Sequence, residues 1–384
     1  MTPTQIRSLL TAHQASETAT SKPAARKREP GKFRRWLRNF LLRHRLTGRK
    51  RRESQLEADG YAITSTVRGE ARPAFNAYAR LCRAYDREVA AAKQNRKISR
   101  RSLDKAARQV VDSILRNPDA MAWTVFSRRQ VADATNRAVS TAVWCVMFGR
   151  QLAFDRPQLQ DLALGGLLLD IGTIRLPPDL GNQVGKMDAR QRMLMAGHVE
   201  HGVDILHRSG GFGRDVIDMV ACHHERADGS GYPSGLRGTA IPAFARIAGI
   251  ADAYDAMTSA NAYSPAYAAF EVAREFNEMR GTQFDAEVVE QFLRTVGMFP
   301  TASVVELNTG MIGLVIEQNR NQPLRPKVML LLDRDHQPLA QPRIIELRDL
   351  SPDATHADAV WIAKGREHGA FGIDPLEYFK PGSG

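Results

Sequence analysis

The segment His223-His224-Glu225-Arg226-Ala227-Asp228-Gly229-Ser230-Gly231-Tyr232-Pro233 sets two adjacent imidazoles before an acid and a glycine-rich turn. Neutral imidazole is the commonest protein ligand for a metal near pH 7. Glycine lets a chain turn sharply and come close to a ligand. A histidine pair that only caps a helix would leave those glycines unexplained. His198 stands one helix earlier, in Gly197-His198-Val199-Glu200-His201-Gly202. Taken alone, it would more often be a satisfied interior histidine than a ligand. Asp170 follows Leu167-Leu168-Leu169, and Asp252 sits in Ile250-Ala251-Asp252-Ala253-Tyr254. An ionised carboxylate among apolar residues is strongly unfavourable without a partner. Each therefore implies a metal ion or another cation. Asp255, one turn after Asp252, reads equally well as a structural partner for backbone or arginine.

Three histidines and two aspartates make a nitrogen and oxygen donor set. It suits a divalent transition metal, Fe, Mn, Zn or Ni, better than a thiolate-selected one. Such an ion can activate a water for attack on a phosphate ester.

These residues need elements to hold them, and the hydrophobic periods predict helices. Over residues 126–298 the predicted helices are Ala142–Phe154, Gln158–Leu169, Asp188–His207, Arg214–His223, Pro242–Ser259, Ala266–Arg280 and Ala286–Val296. Ala71–Ala91 and Ser102–Arg116 give two more amphipathic periods in a helical preamble over 61–125, and Asn117-Pro118 stops the second. After Phe299-Pro300 the pattern changes to short runs, VVEL, GLVIE, VMLLLD and RIIEL, separated by turn residues. The fold class is thus mainly α: a helical domain over 126–298, a helical preamble before it, and a small β appendage over 299–384. No repeat of solenoid length is present.

Hydrophobic residues make up 43% of the chain and charged residues 25%, as in an ordinary globular protein. No apolar run reaches the roughly 20 residues of a spanning helix. The N-terminus lacks the pattern of a signal peptide. Cys82, Cys145 and Cys222 fit neither a disulfide framework nor a cysteine zinc motif, so a cytoplasmic setting is expected. The net charge of +12 is concentrated. Lys22 to Arg52 holds fourteen Lys/Arg against Glu29 alone, so the remainder sums to about −1 and the basicity is assigned to an arm over residues 1–60. Within it Phe33, Trp36, Leu37, Phe40 and Leu41 share one helical face with arginines around them. That pattern fits an anionic membrane surface, at the inner membrane, or an acidic partner. Nucleic acid is a weaker fit, and a solvated leader remains open.

HHE-R-x-DGSGYP, with the stretch from Ile241 to Ile247 and with ADAYDAMTS, resembles the HD-GYP family, part of the HD superfamily of metal-dependent phosphohydrolases. The resemblance covers about residues 117–298. It implies an HD-type helical bundle with a two- or three-metal centre that hydrolyses cyclic di-GMP. It also implies that Gly229, Gly231, Tyr232 and Pro233 form a loop for substrate or for diguanylate-cyclase partner domains. One family metal is held by residues matching Asp170, His198, His223 and His224. If the protein is active, the resemblance places the reaction at Asp170, His223 and His224.

Other family positions differ. Leu169 stands where the family has histidine, and Thr173 where it has lysine. An earlier family histidine falls near Arg137, and no histidine lies between His44 and His198. Asn261 and Ser264 replace the basic residues that hold substrate phosphate in the family. The second metal would keep only Asp252 and the shared Asp170. Losing charge that stabilises a transition state costs orders of magnitude in rate. The expected protein is a degenerate member of cyclic-di-GMP signalling, weak or inactive as a phosphodiesterase, that regulates or docks. An active phosphodiesterase with a single or atypical metal site is the alternative. A membrane or nucleic-acid adaptor is the third reading.

Overall fold

The computed structural model describes residues 61–128, 133–177, 180, 187–259, 269–319, 322, 324–347, 360–367 and 369–378. The basic arm, Asn261 and Ser264 lie outside the described residues.

Helix α1, Val67–Lys93, starts where the Thr66 hydroxyl accepts the Gly69 amide at 3.0 Å. Helix α2, Arg100–Arg116, packs against it. Helix α3, Pro118–Arg128, was not expected, because Asn117-Pro118 reads as a stop. Proline is harmless in a first turn, where its missing N–H has no partner to lose. Asn117 Oδ1 accepts the amides of Asp119 and Ala120 at 3.0 and 3.2 Å and so starts the helix that its own sequence seemed to forbid.

Helix α4, Ala134–Gln151, begins eight residues before the predicted start. Helix α5, Arg156–Leu168, opens with a reciprocal cap between Asp155 and Gln158. A short 3₁₀ turn, Ile171–Arg175, follows it. The single helix predicted over Asp188–His207 is two, α6 (Ala189–Ala196) and α7 (His198–Ser209), which meet at Gly197. Gly197 keeps near-helical backbone angles, φ −60° and ψ −17°, so the junction is a local change that the sequence pattern does not mark. Helices α8 (Arg214–Cys222), α9 (Ala243–Thr258), α10 (Ala269–Glu278) and α11 (Ala286–Val296) complete the body.

One buried cluster runs from Ala74 to Val296 and includes residues of α1 and α2 together with those of α4, α5 and α9. The preamble helices therefore share a core with the later ones. Trp144 on α4 donates its indole N–H to Asp255 on α9 at 3.1 Å, which gives that buried aspartate a structural partner.

Five antiparallel strands follow: β1 Val304–Leu307, β2 Ile312–Glu317, β3 Lys327–Leu332, β4 Pro338–Glu346 and β5 Ile362–Gly365. Their order is β4-β3-β2-β1-β5. The last was missed because Ile362-Ala363-Lys364-Gly365 is too short and mixed to give a period. The sheet rests on α3: Trp123 is buried among Val304, Ile312 and Leu314, and its indole N–H reaches the Ile316 carbonyl at 3.2 Å. The three cysteines are free. Among the described residues no helix is long and apolar enough to cross a membrane.

Gly172 is where the fold meets the chemistry. A Cβ there would lie 2.0 Å from the His198 carbonyl oxygen and 2.4 Å from the Gly202 amide. The turn after Asp170 and the start of α7 can touch only because that side chain is missing. Gly172→Ala is expected to destabilise the protein by about 1–3 kcal/mol, as overpacking does, and to weaken binding of Zn(II). Thermal unfolding and a metal titration check both effects.

Candidate metal centre

Asp170 lies two residues past the last residue of α5, at the head of the 3₁₀ turn. His198 is the first residue of α7, and His223 follows the last residue of α8. These ends converge, and one donor atom from each of Asp170, His198, His223 and His224 lies within 4.8 Å of the others. His198 Nε2 is 3.3 Å from Asp170 Oδ1, and His223 Nε2 is 3.8 Å from the same oxygen. The two Nε2 atoms stand 3.4 Å apart.

The backbone decides which ring nitrogen carries the proton. His198 Nδ1 meets the Met195 carbonyl at 2.6 Å, and His223 Nδ1 meets the Val220 carbonyl at 3.0 Å. A carbonyl only accepts, so each Nδ1 donates and each Nε2 presents a lone pair. Two lone pairs and a carboxylate oxygen then face one another, an arrangement that suits a cation between them. His224 Nδ1 is buried with no hydrogen-bond partner. Burial, then the neighbouring His223, His198 and Arg226, holds the His224 imidazole well below its ordinary pKa, in the neutral form a metal needs. Burial likewise lowers that of His198. Burial raises the Asp170 carboxyl, but the neighbouring His223, His198 and Arg137 outweigh it and hold it well below the usual carboxylate range. The donor set fits one divalent ion. Bound there, such an ion supplies Lewis-acid polarisation of a phosphoryl oxygen.

The structure does not bring Asp252 into this group. Its Oδ1 takes a hydrogen bond from Arg137 Nη2 at 3.2 Å, and Arg137 Nε lies 4.0 Å from Asp170 Oδ2. The cation that Asp252 demanded is a guanidinium on α4. Burial opposes that charge, but Asp252, Asp170 and Asp255 outweigh it and raise the arginine's pKa further. Leu169 is buried in the apolar core. Thr173 turns its hydroxyl back to the Asp170 carbonyl at 2.7 Å.

The glycine-rich loop is held from beneath. Glu225 is buried, and its two carboxylate oxygens accept the amides of Ser234 at 2.7 Å and Leu236 at 2.9 Å. Arg226 donates to the carbonyls of His223 and Glu225 at 3.1 and 3.0 Å and lies over the Phe284 ring. Gly231 has the His224 carbonyl oxygen only 2.4 Å from where a Cβ would be, so the loop closes tightly over the histidine pair. Tyr232 stacks on His224 with ring centroids 4.5 Å apart. Gly229 has φ +80°, while Pro233 and Ser234 face solvent. Sequence reasoning named the loop but not Glu225 and Arg226 as its anchors. The signal was an acid and a base directly after the histidine pair, where a solvated loop needs neither.

Residues 119–288 match the HD domain family, and residues 304–352 match the KOW domain associated with HD domain. A cyclic di-GMP phosphodiesterase of Pseudomonas aeruginosa is 33% identical over 62% of this chain and 58% of its own length. The cyclic di-GMP phosphodiesterase response regulator RpfG of Xanthomonas campestris pv. campestris is 33% identical over 41% of this chain and 44% of its own. The 3'3'-cGAMP-specific phosphodiesterase 2 of Vibrio cholerae is 37% identical over 33% of this chain and 24% of its own. The chain thus spans 58% or less of each of these three relatives. A solved HDG"Y"P protein from Bdellovibrio bacteriovorus aligns over 61% of this chain and 74% of its own, at 18% identity and a TM-score of 0.47.

Loss of one imidazole should empty the centre. Even an outer partner of a ligand is worth 10–100-fold in metal affinity. His223→Ala is therefore expected to weaken Zn(II) or Mn(II) binding by at least about a hundredfold. His207→Ala, an exposed histidine on α7, should leave it unchanged. Equilibrium dialysis with each ion checks the pair.

Proposed function

We propose that this chain is a degenerate HD-GYP protein of cyclic-dinucleotide signalling. It holds one divalent transition ion, Fe, Mn, Zn or Ni, and is weak or inactive as a phosphodiesterase. The observation that carries this reading is the Arg137 guanidinium between Asp252 and Asp170. Two-metal hydrolysis stabilises the attacking and the leaving oxygen with an ion each. Here the second positive charge is a side chain already engaged by two carboxylates. It has little charge left to offer a developing oxyanion.

Ligand chemistry points the same way. Leu169 and Thr173 present no cation to a phosphate, and the relatives at 33% and 37% identity carry the names of cyclic di-GMP and 3'3'-cGAMP phosphodiesterases. Their substrate class, a cyclic dinucleotide, is the ligand this reading assigns. The loop of Gly231, Tyr232 and Pro233 is stiff, tied by Glu225 and half exposed, as a docking element for a partner such as a diguanylate-cyclase domain must be. Preorganisation of that kind lowers the ordering cost of binding. Metal loading would then secure the loop through His224 and Tyr232 rather than drive turnover.

A weakened but active enzyme is the second reading, favoured by the intact four-ligand group itself. Elemental analysis of the purified full chain, run beside a cyclic di-GMP hydrolysis assay, separates the two. The expected result is about one metal per chain with no turnover above the His223→Ala variant. Metal-dependent turnover that His223→Ala abolishes would replace the regulatory reading with the enzymatic one.

A further inference from the structure

The near-zero charge outside the arm conceals a strong separation. Residues 67–116, the α1 and α2 pair, carry thirteen Lys/Arg against five Asp/Glu. The structure sorts them by side. Arg68, Arg72, Arg80, Arg83 and Arg87 are all exposed on α1. At 3.6 residues per turn they fall within an arc of about 120°, along about 28 Å of helix. Arg101, Lys105 and Arg108 repeat the stripe on α2. Arg80 Nη1 donates to Gln109 Oε1 at 2.7 Å, so the two stripes adjoin. Lys93, the last residue of α1, and Arg96 and Lys97 in the turn that joins the helices are exposed.

Of the acids in the same segment, Asp86 and Asp112 fall within these arcs and are engaged by Thr135 and Arg156 of neighbouring helices, while the other three lie outside them. Glu70 is buried against Ser113 and Arg116, at 2.8 Å and 2.7 Å. Glu88 is buried and accepts the Ser99 amide at 2.7 Å. Asp104 takes Gln160 from α5, and Asp112 is paired with Arg156. Asp86 is exposed and accepts the Thr135 hydroxyl. A surface that is merely solvated mixes both signs. A face with so large an excess of one sign repels itself and destabilises the compact state unless it meets a counter-charge.

We propose that this face docks on a bilayer containing anionic lipid. It carries more cations than the four to eight whose clustering on a helix is read as lipid binding. Among the described residues of the two helices no large aromatic side chain is exposed on which bases could stack, which argues against single-stranded nucleic acid. The sequence upstream supplies Phe33, Trp36 and Phe40 among arginines, residue types that partition into the bilayer interface. Residues 53–67 between that segment and the folded face hold Glu53, Glu57 and Asp59 and no Lys/Arg, so the two basic regions are separate, and the site proposed here is the folded face.

The test is sedimentation of the full chain with vesicles of phosphatidylcholine alone or mixed with phosphatidylglycerol. Binding only to the mixed vesicles is expected, and it should vanish at about 0.5 M salt, where the screening length falls to a few ångströms. Each cation near such a surface is worth about a fivefold change. The triple variant Arg83→Gln, Arg87→Gln, Lys105→Gln should therefore lose about a hundredfold in partitioning. If circular dichroism shows that variant unfolded, Arg72→Gln, Arg101→Gln, Arg108→Gln takes its place. Absence of binding to mixed vesicles, undiminished binding of the folded triple variant, or preference for duplex DNA over mixed vesicles at equal salt would each overturn the proposal.

Discussion

Asp170 is shared. One oxygen faces the lone pairs of His198 and His223, and the other faces the Arg137 guanidinium. A carboxylate can serve two cations at once, and here one of them is covalently part of the protein. Everything else in the helical body can be understood as holding that carboxylate in place. Helix α5 delivers it, Gly172 lets α7 approach, and α9 brings Asp252 to the far side of the arginine. The close-packed core, from Ala74 to Val296, leaves little room for these helix ends to drift.

The glycine-rich loop depends on the same centre. His224 belongs to the four-donor group and stacks on Tyr232, while Glu225, its neighbour in sequence, anchors the amides of Ser234 and Leu236. Adjacent residues thus point to opposite tasks, one toward the ion and one toward the loop. His224 thereby links the four-donor group to the partly exposed Tyr232, with ring centroids 4.5 Å apart. Residues 119–288 match the HD domain family, and in this chain Arg137 stands beside the four donors, with its Nε 4.0 Å from Asp170.

Much of this was legible in the sequence, for physical reasons that differ by residue. The histidine pair and its glycines stood out because packing alone does not need them. Amphipathic periods marked most helices, and Ala286–Val296 has the predicted bounds because Asp285 and Gly297 punctuate it at both ends. Other features were hidden. Pro118 reads as a terminator and is instead the first residue of α3. Gly197, where two helices meet, keeps near-helical backbone angles and so gave no sign of the junction. Arg137 read only as the absence of a histidine. Its pairing with Asp252 lies 115 residues away in sequence and depends on tertiary structure. The clue was chemical: two carboxylates in apolar surroundings, and a lone arginine at the head of the apolar run that becomes α4. The sorting of charge on α1 and α2 was equally invisible to a sum over the chain, since burial decides which side each charge faces.

Central to this account is a single ion beside a guanidinium. Crystals grown with Mn(II) or Zn(II) and measured at the absorption edge of that metal would locate every bound ion directly. The predicted anomalous map has one peak among Asp170, His198, His223 and His224, with Arg137 still paired to Asp252. Two peaks of comparable height, the second lying between Asp170 and Asp252 with the arginine swung away, would contradict it.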